Sequence, residues 1–444
     1  MKGCATRLPI ITLAIGAGLA LSGCGSSVVH YPAASHATTL SGDGAVPSGP
    51  LVQAPDGNLY GTTASGGRFN RGTVFQISTN GTESVLYSFS GGVSDGADPG
   101  EGVIIGSDGN LYGTTRGGGG GSCGGQEPSG FVVTVSTCGT VFQLTLAGNE
   151  QVLHFFQGGD DGGVPMTRLV QTSGGNFYGT TATGGIYLSG TVFQITSTGQ
   201  EQVIYDFGAA GSTDAVAPAA GLILATDGNL YGTTALGGAS NKGTVLSVTT
   251  AGAEAVLASF AGGEAGETPT QSLVQASNGN FYGTTSTGGL SDDTHCPAGC
   301  GMVFQITPSG ALTILYKFGL GAGGGVPVLP APIQTNDGLL PSSALIQASD
   351  GNFYGTTRAG GNGACSEGCG TVFKITPAGQ ETVLYAFRGA DDGAAPQATL
   401  IQASDGALYG TTSAGGQLDQ GTVFQITLEG VETVLHSFGS TEAR

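Results

Sequence analysis

Cysteine side chains could form disulfides or bind metal, and six of the eight in this chain form close pairs. The pairs are Cys123 with Cys138, Cys296 with Cys300, and Cys365 with Cys369. Each pair lies within one loop, so local disulfides need no rearrangement of distant segments. The export signal described below favours oxidised cysteines. We therefore predict three intra-loop disulfides. A metal site at a Cys-x-x-x-Cys motif is the alternative, although no histidine pair accompanies either motif.

Histidine is the side chain best suited to acid–base chemistry near neutral pH, and the chain contains five. His30 and His36 precede the repeats, while His154 and His436 occupy a position that holds tyrosine in other repeats. His295 alone remains, in the loop sequence Asp-Asp-Thr-His-Cys. It could bind a metal or transfer a proton, or it could be an ordinary solvated residue. The sequence therefore predicts no catalytic residue beyond this one nominee.

Aspartates recur in glycine-rich segments between the repeats, and clustered oxygen ligands of this kind suit calcium. The nominees are Asp95, Asp98, Asp160, Asp161, Asp391 and Asp392. Asp-Gly is also ordinary turn chemistry, and no complete calcium-binding loop is present in the sequence. We therefore predict no cofactor, with calcium as the alternative.

Motifs and charge exclude several functional classes. The sequence contains no Gly-x-Ser-x-Gly elbow, phosphate-binding loop or His-Glu-x-x-His motif. It has no tryptophan, which excludes the tryptophan repeat of quinone-dependent dehydrogenase propellers and the aromatic ending of the sialidase aspartate box. The net charge of -19 would repel a phosphate backbone, so we expect no nucleic-acid partner.

The N-terminal residues are typical of an export signal. Lys2 and Arg7 precede a short apolar stretch that ends in Leu-Ser-Gly-Cys at Cys24. This ending resembles the bacterial lipobox, which implies cleavage before Cys24, acylation of that residue and a membrane partner through the lipid. A secretory signal with a chance cysteine is the alternative. We predict a signal peptide at residues 1–23, a lipidated tether at 24–48, and location at the outer membrane or cell surface.

A sequence repeat occurs seven times after the tether. Its most regular motif is Tyr-Gly-Thr-Thr, with tyrosines at Tyr60, Tyr112, Tyr178, Tyr231, Tyr282, Tyr354 and Tyr409. The units span approximately residues 49–90, 101–157, 167–208, 220–261, 271–319, 343–388 and 398–439. Each unit contains four strand-length runs. In the first unit, Asp56-Gly57 joins the first two runs and Asn80-Gly81 joins the last two, as expected for tight hairpin turns.

Four antiparallel strands per unit predict a blade, and seven blades arranged radially would cover each other's apolar faces. We therefore predict an all-β, seven-bladed β-propeller over residues 49–444, rather than a β-solenoid or several separate domains. The seventh unit ends with its own fourth strand, so the ring should close without a borrowed strand. We expect the first and last blades to touch, with residues 37–48 ordered against blade seven and residues 25–36 mobile.

Successive antiparallel strands send alternate loops to opposite faces of such a ring. The loops between second and third strands share one face with the links between blades, and we call this the variable face. The long segments 116–139, 286–301, 319–343 and 358–370 all belong to it. Because binding residues concentrate on loops held by rigid scaffolds, we predict ligand contacts there. The candidates are Arg68, Phe69, Arg71, Phe131 and Tyr187.

The repeated words Leu-Tyr-Gly-Thr-Thr, Gly-Gly and Gly-Thr-Val-Phe resemble the GloVer tandem-repeat proteins, named for Gloeobacter and Verrucomicrobia. The resemblance covers about residues 49–438, with Leu246, Ser247 and Met302 as departures. It implies a propeller and varied surface anchors but no established activity. We therefore expect a monomeric, non-catalytic scaffold for a glycan, cell-wall or protein ligand. A propeller hydrolase or lyase acting on an extracellular polymer is the alternative.

The lipobox yields a test of the anchor. Wild-type protein should incorporate labelled palmitate and partition with membranes, because acyl chains on Cys24 hold it there. Cys24→Ala should remove both properties. Equal labelling of the two proteins, or a wild-type protein that stays soluble in the periplasm, would show that Cys24 is not acylated.

Overall fold

The computed structural model describes residues 42–126, 132–135, 137–291, 296–319 and 336–439, with the short segments 22–23 and 26–27. In the N-terminal unit, Met1–Thr39, the described feature is an antiparallel pair between Ser22–Gly23 and Ser26–Ser27. The described part of the chain contains no helix with the length and hydropathy needed to cross a membrane.

The second unit, Leu40–Arg444, consists of seven antiparallel sheets in a ring, which confirms the predicted seven-bladed β-propeller. The first strands are Val52–Gln53, Val103–Ile105, Val170–Gln171, Ile223–Leu224, Val274–Gln275, Ile346–Gln347 and Ile401–Gln402. The second strands are Leu59–Gly66, Leu111–Thr115, Phe177–Thr183, Leu230–Gly237, Phe281–Thr285, Phe353–Ala359 and Leu408–Ala414.

The outer half of each blade is more regular. The third strands are Thr73–Ile77, Thr140–Leu144, Thr191–Ile195, Thr244–Val248, Met302–Ile306, Thr371–Ile375 and Thr422–Ile426. The fourth strands are Glu83–Ser88, Glu150–Phe155, Glu201–Asp206, Glu254–Ser259, Leu312–Lys317, Glu381–Ala386 and Glu432–Ser437. All seven pairs of third and fourth strands shift register at the same position, between the valine and the next residue of the third strand.

The links between blades form strands that the sequence pattern did not reveal. Most pair with the second half of the following second strand and so extend the inner edge of the blade: Gly44–Pro47, Gly163–Pro165, Ala215–Pro218, Leu339–Pro341 and Ala394–Pro396. In blade two, Gly96–Ala97 pairs with Gly117–Gly118. The remaining elements are a hairpin of Cys123–Gln126 with Val132–Val135 and short 3-10 turns at Gly211–Thr213, Gly263–Ala265 and Ala390–Asp392.

The core lies between blades, because every blade is apolar on both faces. In blade one, Leu59 to Thr63 are all buried, and so are Val74, Phe75 and Ile77 of the next strand. Phe75 packs edge-on against Phe438 of blade seven, with ring centroids 5.2 Å apart. A single sheet of this kind would expose both faces to water, so each blade depends on its two neighbours.

The Tyr-Gly-Thr-Thr motifs pack the core and join the blades. In six blades the second threonine pairs with the threonine that begins the third strand, as in Thr63 and Thr73, whose hydroxyls lie 2.8 Å apart. In five blades the first threonine bonds to the next blade or its link, as where Thr114 donates to the carbonyl of Thr167 at 3.1 Å. Buried threonine hydroxyls therefore pair with each other within a blade and bond to backbone groups across the junction.

A second bond between blades recurs seven times, at the residue before each link proline. These residues have positive φ although none is glycine: Val46, Asp98, Val164, Ala217, Thr268, Leu340 and Ala395. The amide of each donates to a carbonyl of the preceding blade at 2.8 to 3.3 Å. For valine and threonine this backbone conformation is strained, so the surrounding structure must enforce it.

The ring closes without strand exchange, as predicted. Val46 donates to the carbonyl of Gln420 in blade seven at 2.8 Å, and Ser404 of blade seven donates to Gln53 at 2.8 Å. Described residues 42–48 therefore lie against blade seven. The expectations for residues 25–36 and 37–41 fall outside the described residues, apart from the pair at 26–27.

The glycine of Tyr-Gly-Thr-Thr generates a stability prediction. A Cβ at Gly355 would lie 2.7 Å from Phe373 Cζ and 2.9 Å from Leu345 Cδ2, both in the packed core. Gly355→Ala should therefore destabilise the fold by about 1–3 kcal/mol in chemical denaturation. Gly232→Ala is the matched control, because Leu246 replaces phenylalanine in blade four and leaves only Leu222 within contact. Equal losses in the two variants would contradict this account.

Candidate functional sites

The variable face carries the three predicted disulfides. Cys123–Cys138, Cys296–Cys300 and Cys365–Cys369 are each formed within one loop between a second and a third strand, with Cα atoms 5.1 to 5.2 Å apart. They constrain the long loops of blades two, five and six. The disulfide prediction is confirmed.

The other four blades share one short loop on this face. This loop begins with two consecutive glycines, such as Gly66 and Gly67. The third residue after these glycines has positive φ in every case: Asn70, Leu188, Asn241 and Asp419. In three blades the side chain of this residue accepts a hydrogen bond from the first glycine amide, as where Gly66 donates to Asn70 Oδ1 at 2.9 Å. Leucine has no such acceptor. Leu188 therefore adopts the strained conformation without the bond that supports it elsewhere.

The predicted ligand contacts lie at or near the tips of these loops. Phe69 and Tyr187 occupy the same loop position in blades one and three and are 47% and 51% exposed. Arg68 lies over the Phe69 ring, 5.3 Å from its centroid, and Arg71 is half-buried. Phe131, His295 and Cys24 lie outside the described residues, so the roles predicted for them stay predictions.

Large exposed apolar side chains concentrate on the variable face. Eight occur among the described residues. Seven belong to loops between second and third strands or to links between blades: Val46, Phe69, Val93, Ile186, Tyr187, Leu188 and Leu418. Only Val431 lies in a turn of the opposite face. Three consecutive members, Ile186 to Leu188, form the tip of the blade-three loop.

The aspartates nominated for calcium divide between two structural roles and free surface. Asp95, Asp161 and Asp392 bind the tyrosine or histidine of the preceding fourth strand, at 3.1, 3.3 and 2.8 Å. Each also accepts a hydrogen bond from a backbone amide at the start of the link between blades. Asp98 lies 3.9 Å from Arg116. Asp160 and Asp391 are exposed.

Six blade junctions contain the same group of three polar side chains, which we call the junction triad. It consists of a tyrosine or histidine in the fourth strand, the aspartate of the following link, and the glutamate that begins the next fourth strand. The six triads are Tyr87–Asp95–Glu150, His154–Asp161–Glu201, Tyr205–Asp214–Glu254, Tyr316–Asp337–Glu381, Tyr385–Asp392–Glu432 and His436–Asp43–Glu83. His154 and His436 thus take the place of tyrosine, as the sequence indicated.

Burial and a neighbouring aspartate raise the pKa of the triad glutamates. The pKa of Glu150, Glu254 and Glu432 rises to about 7, mainly through burial and then through the linked aspartate. Glu381 is only 4% exposed, and the same two causes raise its pKa to about 8. The junctions therefore favour protonated glutamates at mildly acidic pH.

The junction between blades four and five lacks the triad altogether. Ala258, Ala265 and Leu312 occupy the three positions. Ala258 and Leu312 pack against the apolar cluster of this junction. All three polar groups are replaced together, which indicates that they work as one unit.

One triad has donor atoms close enough for a metal ion. Single atoms of Asp43, Glu83 and His436 lie within 4.8 Å of one another. The aspartate also bonds to the Gly439 amide at 2.9 Å, and the equivalent groups at four other junctions contain tyrosine. Because equivalent groups recur at the other junctions, we interpret this cluster as a structural contact between blades seven and one.

A central channel of about 560 Å³ runs along the inner strands. Its walls include Ile104, Leu222 and Val274, together with polar Gln271 and Ser272. Arg168 and Glu101 also line it. Glu101 is paired with Arg116 at 2.6 Å, although burial still raises the pKa of this carboxyl to about 7.

Comparison with known proteins identifies the repeat and the fold. The profile of the Gloeobacter/Verrucomicrobia repeat matches residues 27–126, 132–340 and 328–444. No curated protein matches the chain.

Solved structures are similar to this chain at low sequence identity. The periplasmic gluconolactonase of Pseudomonas aeruginosa is 17% identical with a TM-score of 0.51, over 88% of this chain and 95% of that one. A putative 6-phosphogluconolactonase of Bacteroides uniformis is 14% identical with a TM-score of 0.49, over 86% and 95%. At this identity the likeness concerns the fold alone.

The raised glutamate pKa values predict an acid-shifted stability profile. An unfolded glutamate titrates near 4.5, so the folded state binds extra protons between this pH and about 7. The resulting stabilisation is complete below pH 4.5 and is lost as the pH rises through the folded values. The aspartates in the turns between first and second strands have the opposite effect on stability. Hydrogen bonds outweigh burial and lower the pKa of Asp56, so its stabilisation of the fold is present above pH 3.8 and is lost at lower pH.

The melting temperature should therefore fall from about pH 5 to pH 8. Glu381→Gln removes one raised group and should flatten part of this slope, measured by differential scanning fluorimetry across the range. Exposed Glu429→Gln is the control and should follow the wild type. A melting temperature that rises over this interval would contradict the assignment.

Proposed function

The chain belongs to the Gloeobacter/Verrucomicrobia repeat family, and from this premise we propose that it is a lipid-anchored, non-catalytic scaffold of the bacterial cell envelope. The proposed ligand is a protein partner held on the variable face. The observation that carries this proposal is the concentration of exposed apolar side chains on that face.

The distribution of these side chains supports a binding role. Isolated exposed hydrophobic residues are normal, but here seven of eight in the described residues belong to one face. The turns of the opposite face are short instead, and six of the seven between first and second strands contain Asp-Gly or Asn-Gly. An asymmetry of this kind is typical of a surface that is covered by a partner.

The chemistry of the loop tips favours a protein over a glycan. Ile186, Leu188 and Leu418 are aliphatic and offer few hydrogen bonds, whereas Tyr187 is a residue type that often dominates protein interfaces. A hydroxyl-rich sugar would leave much of this apolar surface unmatched. The tips project from a rigid ring, so binding requires little ordering of the scaffold.

The strain at Leu188 is a second support. At this position asparagine or aspartate would relieve the backbone and bond to the loop glycine, as in blades one, four and seven. Leucine is instead kept with 46% of its surface exposed. A residue that costs stability and faces solvent is best explained by a contact outside the chain.

Cross-linking in cells tests the partner directly. A photoreactive phenylalanine analogue at Tyr187 should give a discrete adduct with one protein, identified by mass spectrometry. The same analogue at Val431, which is 64% exposed on the opposite face, is the control and should give none. Saturable binding to a purified glycan without any Tyr187 adduct would overturn the choice of a protein partner.

Leu188→Asn separates binding from folding. The substitution should raise the stability of the purified protein by about 1 kcal/mol, because it restores the supported loop conformation. It should also weaken the adduct formed at Tyr187 at least several-fold. Lower stability would contradict the account of strain, and an undiminished adduct would contradict a role for this tip in binding.

A further inference from the structure

The central channel contains one charged residue that departs from the sevenfold pattern. The residues three positions after the link prolines are Pro50, Gly102, Arg168, Gly221, Ser272, Ala344 and Thr399, and all of these except Gly102 line the channel. Six are small or uncharged. Arginine is the longest side chain at this position, where the other blades supply residues that leave the channel open.

Arg168 has few partners within the protein. Its Nη2 donates to the carbonyl of Val103 at 3.1 Å, and its buried Nε has no hydrogen-bond partner among the described residues. No carboxylate of the described chain forms an ion pair with it. Burial without a counter-ion lowers the pKa of the guanidinium to about 10. The side chain nevertheless stays charged at neutral pH.

A half-buried cation without a counter-ion is unfavourable, and an anion entering the channel would compensate its charge. The contrast with the neighbouring arginine is informative. Arg116 lies near both Asp98 and Glu101, at 3.9 and 2.6 Å, so its charge is compensated within the protein. Arg168 is left for a ligand.

The remaining channel wall indicates the chemistry of that ligand. Thr270, Gln271, Ser272 and Thr399 supply amide and hydroxyl groups, and apolar side chains fill the rest. The volume of about 560 Å³ suits a small molecule and not a folded domain. Glu101 also lines the channel, and the whole protein is strongly acidic, which disfavours a dianion such as phosphate.

We propose that the central channel binds a small hydroxylated monocarboxylate whose carboxylate pairs with Arg168. A guanidinium is matched in shape to a carboxylate, and the amide and hydroxyl groups of the wall would bind the hydroxyls. This site is separate from the variable face. Its existence does not depend on the protein partner proposed there.

Calorimetry on the purified full-length chain in detergent tests the site. Lactate, glycerate and galacturonate are the probes, and galactose and inorganic phosphate are the neutral and dianionic comparisons. At least one monocarboxylate should bind saturably with a stoichiometry near one, and galactose should not. No saturable monocarboxylate binding, or tighter binding of phosphate, would overturn the proposal.

Arg168→Ser is the decisive variant, because serine already occupies the equivalent position in blade five at Ser272. It should lower monocarboxylate affinity at least tenfold while the melting temperature stays equal or rises, since an uncompensated charge is removed. Arg388→Ser removes an exposed arginine and should bind as the wild type does. Unchanged affinity in Arg168→Ser would overturn the proposal.

A second variant covers the case in which Arg168→Ser fails to fold. Arg168→Lys keeps the positive charge but loses the planar fork, so it should fold and bind the monocarboxylate more weakly than the wild type. Binding by Arg168→Lys as tight as that of the wild type would show that the carboxylate does not contact the guanidinium fork.

Discussion

Every blade of this protein is apolar on both faces, so no blade can be stable unless a neighbour covers each side. The edge-on contact of Phe75 with Phe438 shows the same requirement at the seam as elsewhere in the ring. Apolar contact alone would let neighbouring sheets slide. The residues before the link prolines donate backbone hydrogen bonds to the preceding blade, as Val46 does to Gln420. These bonds fix the relative position of neighbouring blades at the cost of backbone strain. The packing of the ring can enforce that strain because each link is held by two blades.

Polar groups at the junctions follow from the same arrangement. The fourth strands lie at the outer edge, where the side chain of one blade meets the link and the fourth strand of the next. Tyr316 donates to Asp337 at 2.7 Å in this space, with Glu381 beside both groups. Two carboxyls this close, and this buried, cannot both ionise without cost. Protonation of the glutamate is the simplest remedy, which couples the packing of blades to the pH of the surroundings.

Much of the fold could be predicted from the sequence because the seven Tyr-Gly-Thr-Thr words mark equivalent strands, and turn residues such as Asp56-Gly57 mark their ends. The cysteine pairs were predictable since their spacing kept each within one loop. The link strands were not, because Gly44–Pro47 has no apolar alternation and pairs only once the ring is formed. The positive φ of Val46 contradicts ordinary preferences for valine. The triads and Arg168 required an alignment of the links, in which the aspartate and the arginine each keep a fixed distance from proline.

The blade-four to blade-five junction, with Ala258, Ala265 and Leu312 in place of a triad, bears on how such a ring can change over generations. The three positions belong to three successive stretches of chain, and the glutamate belongs to a different repeat from its tyrosine. A duplicated or recombined repeat therefore brings half of a polar contact to one neighbour and needs the other half from the next. If a polar half met an apolar half, a buried carboxyl would be left without a partner. Blades of this protein are consequently not interchangeable units, and inheritance must preserve the match between adjoining repeats.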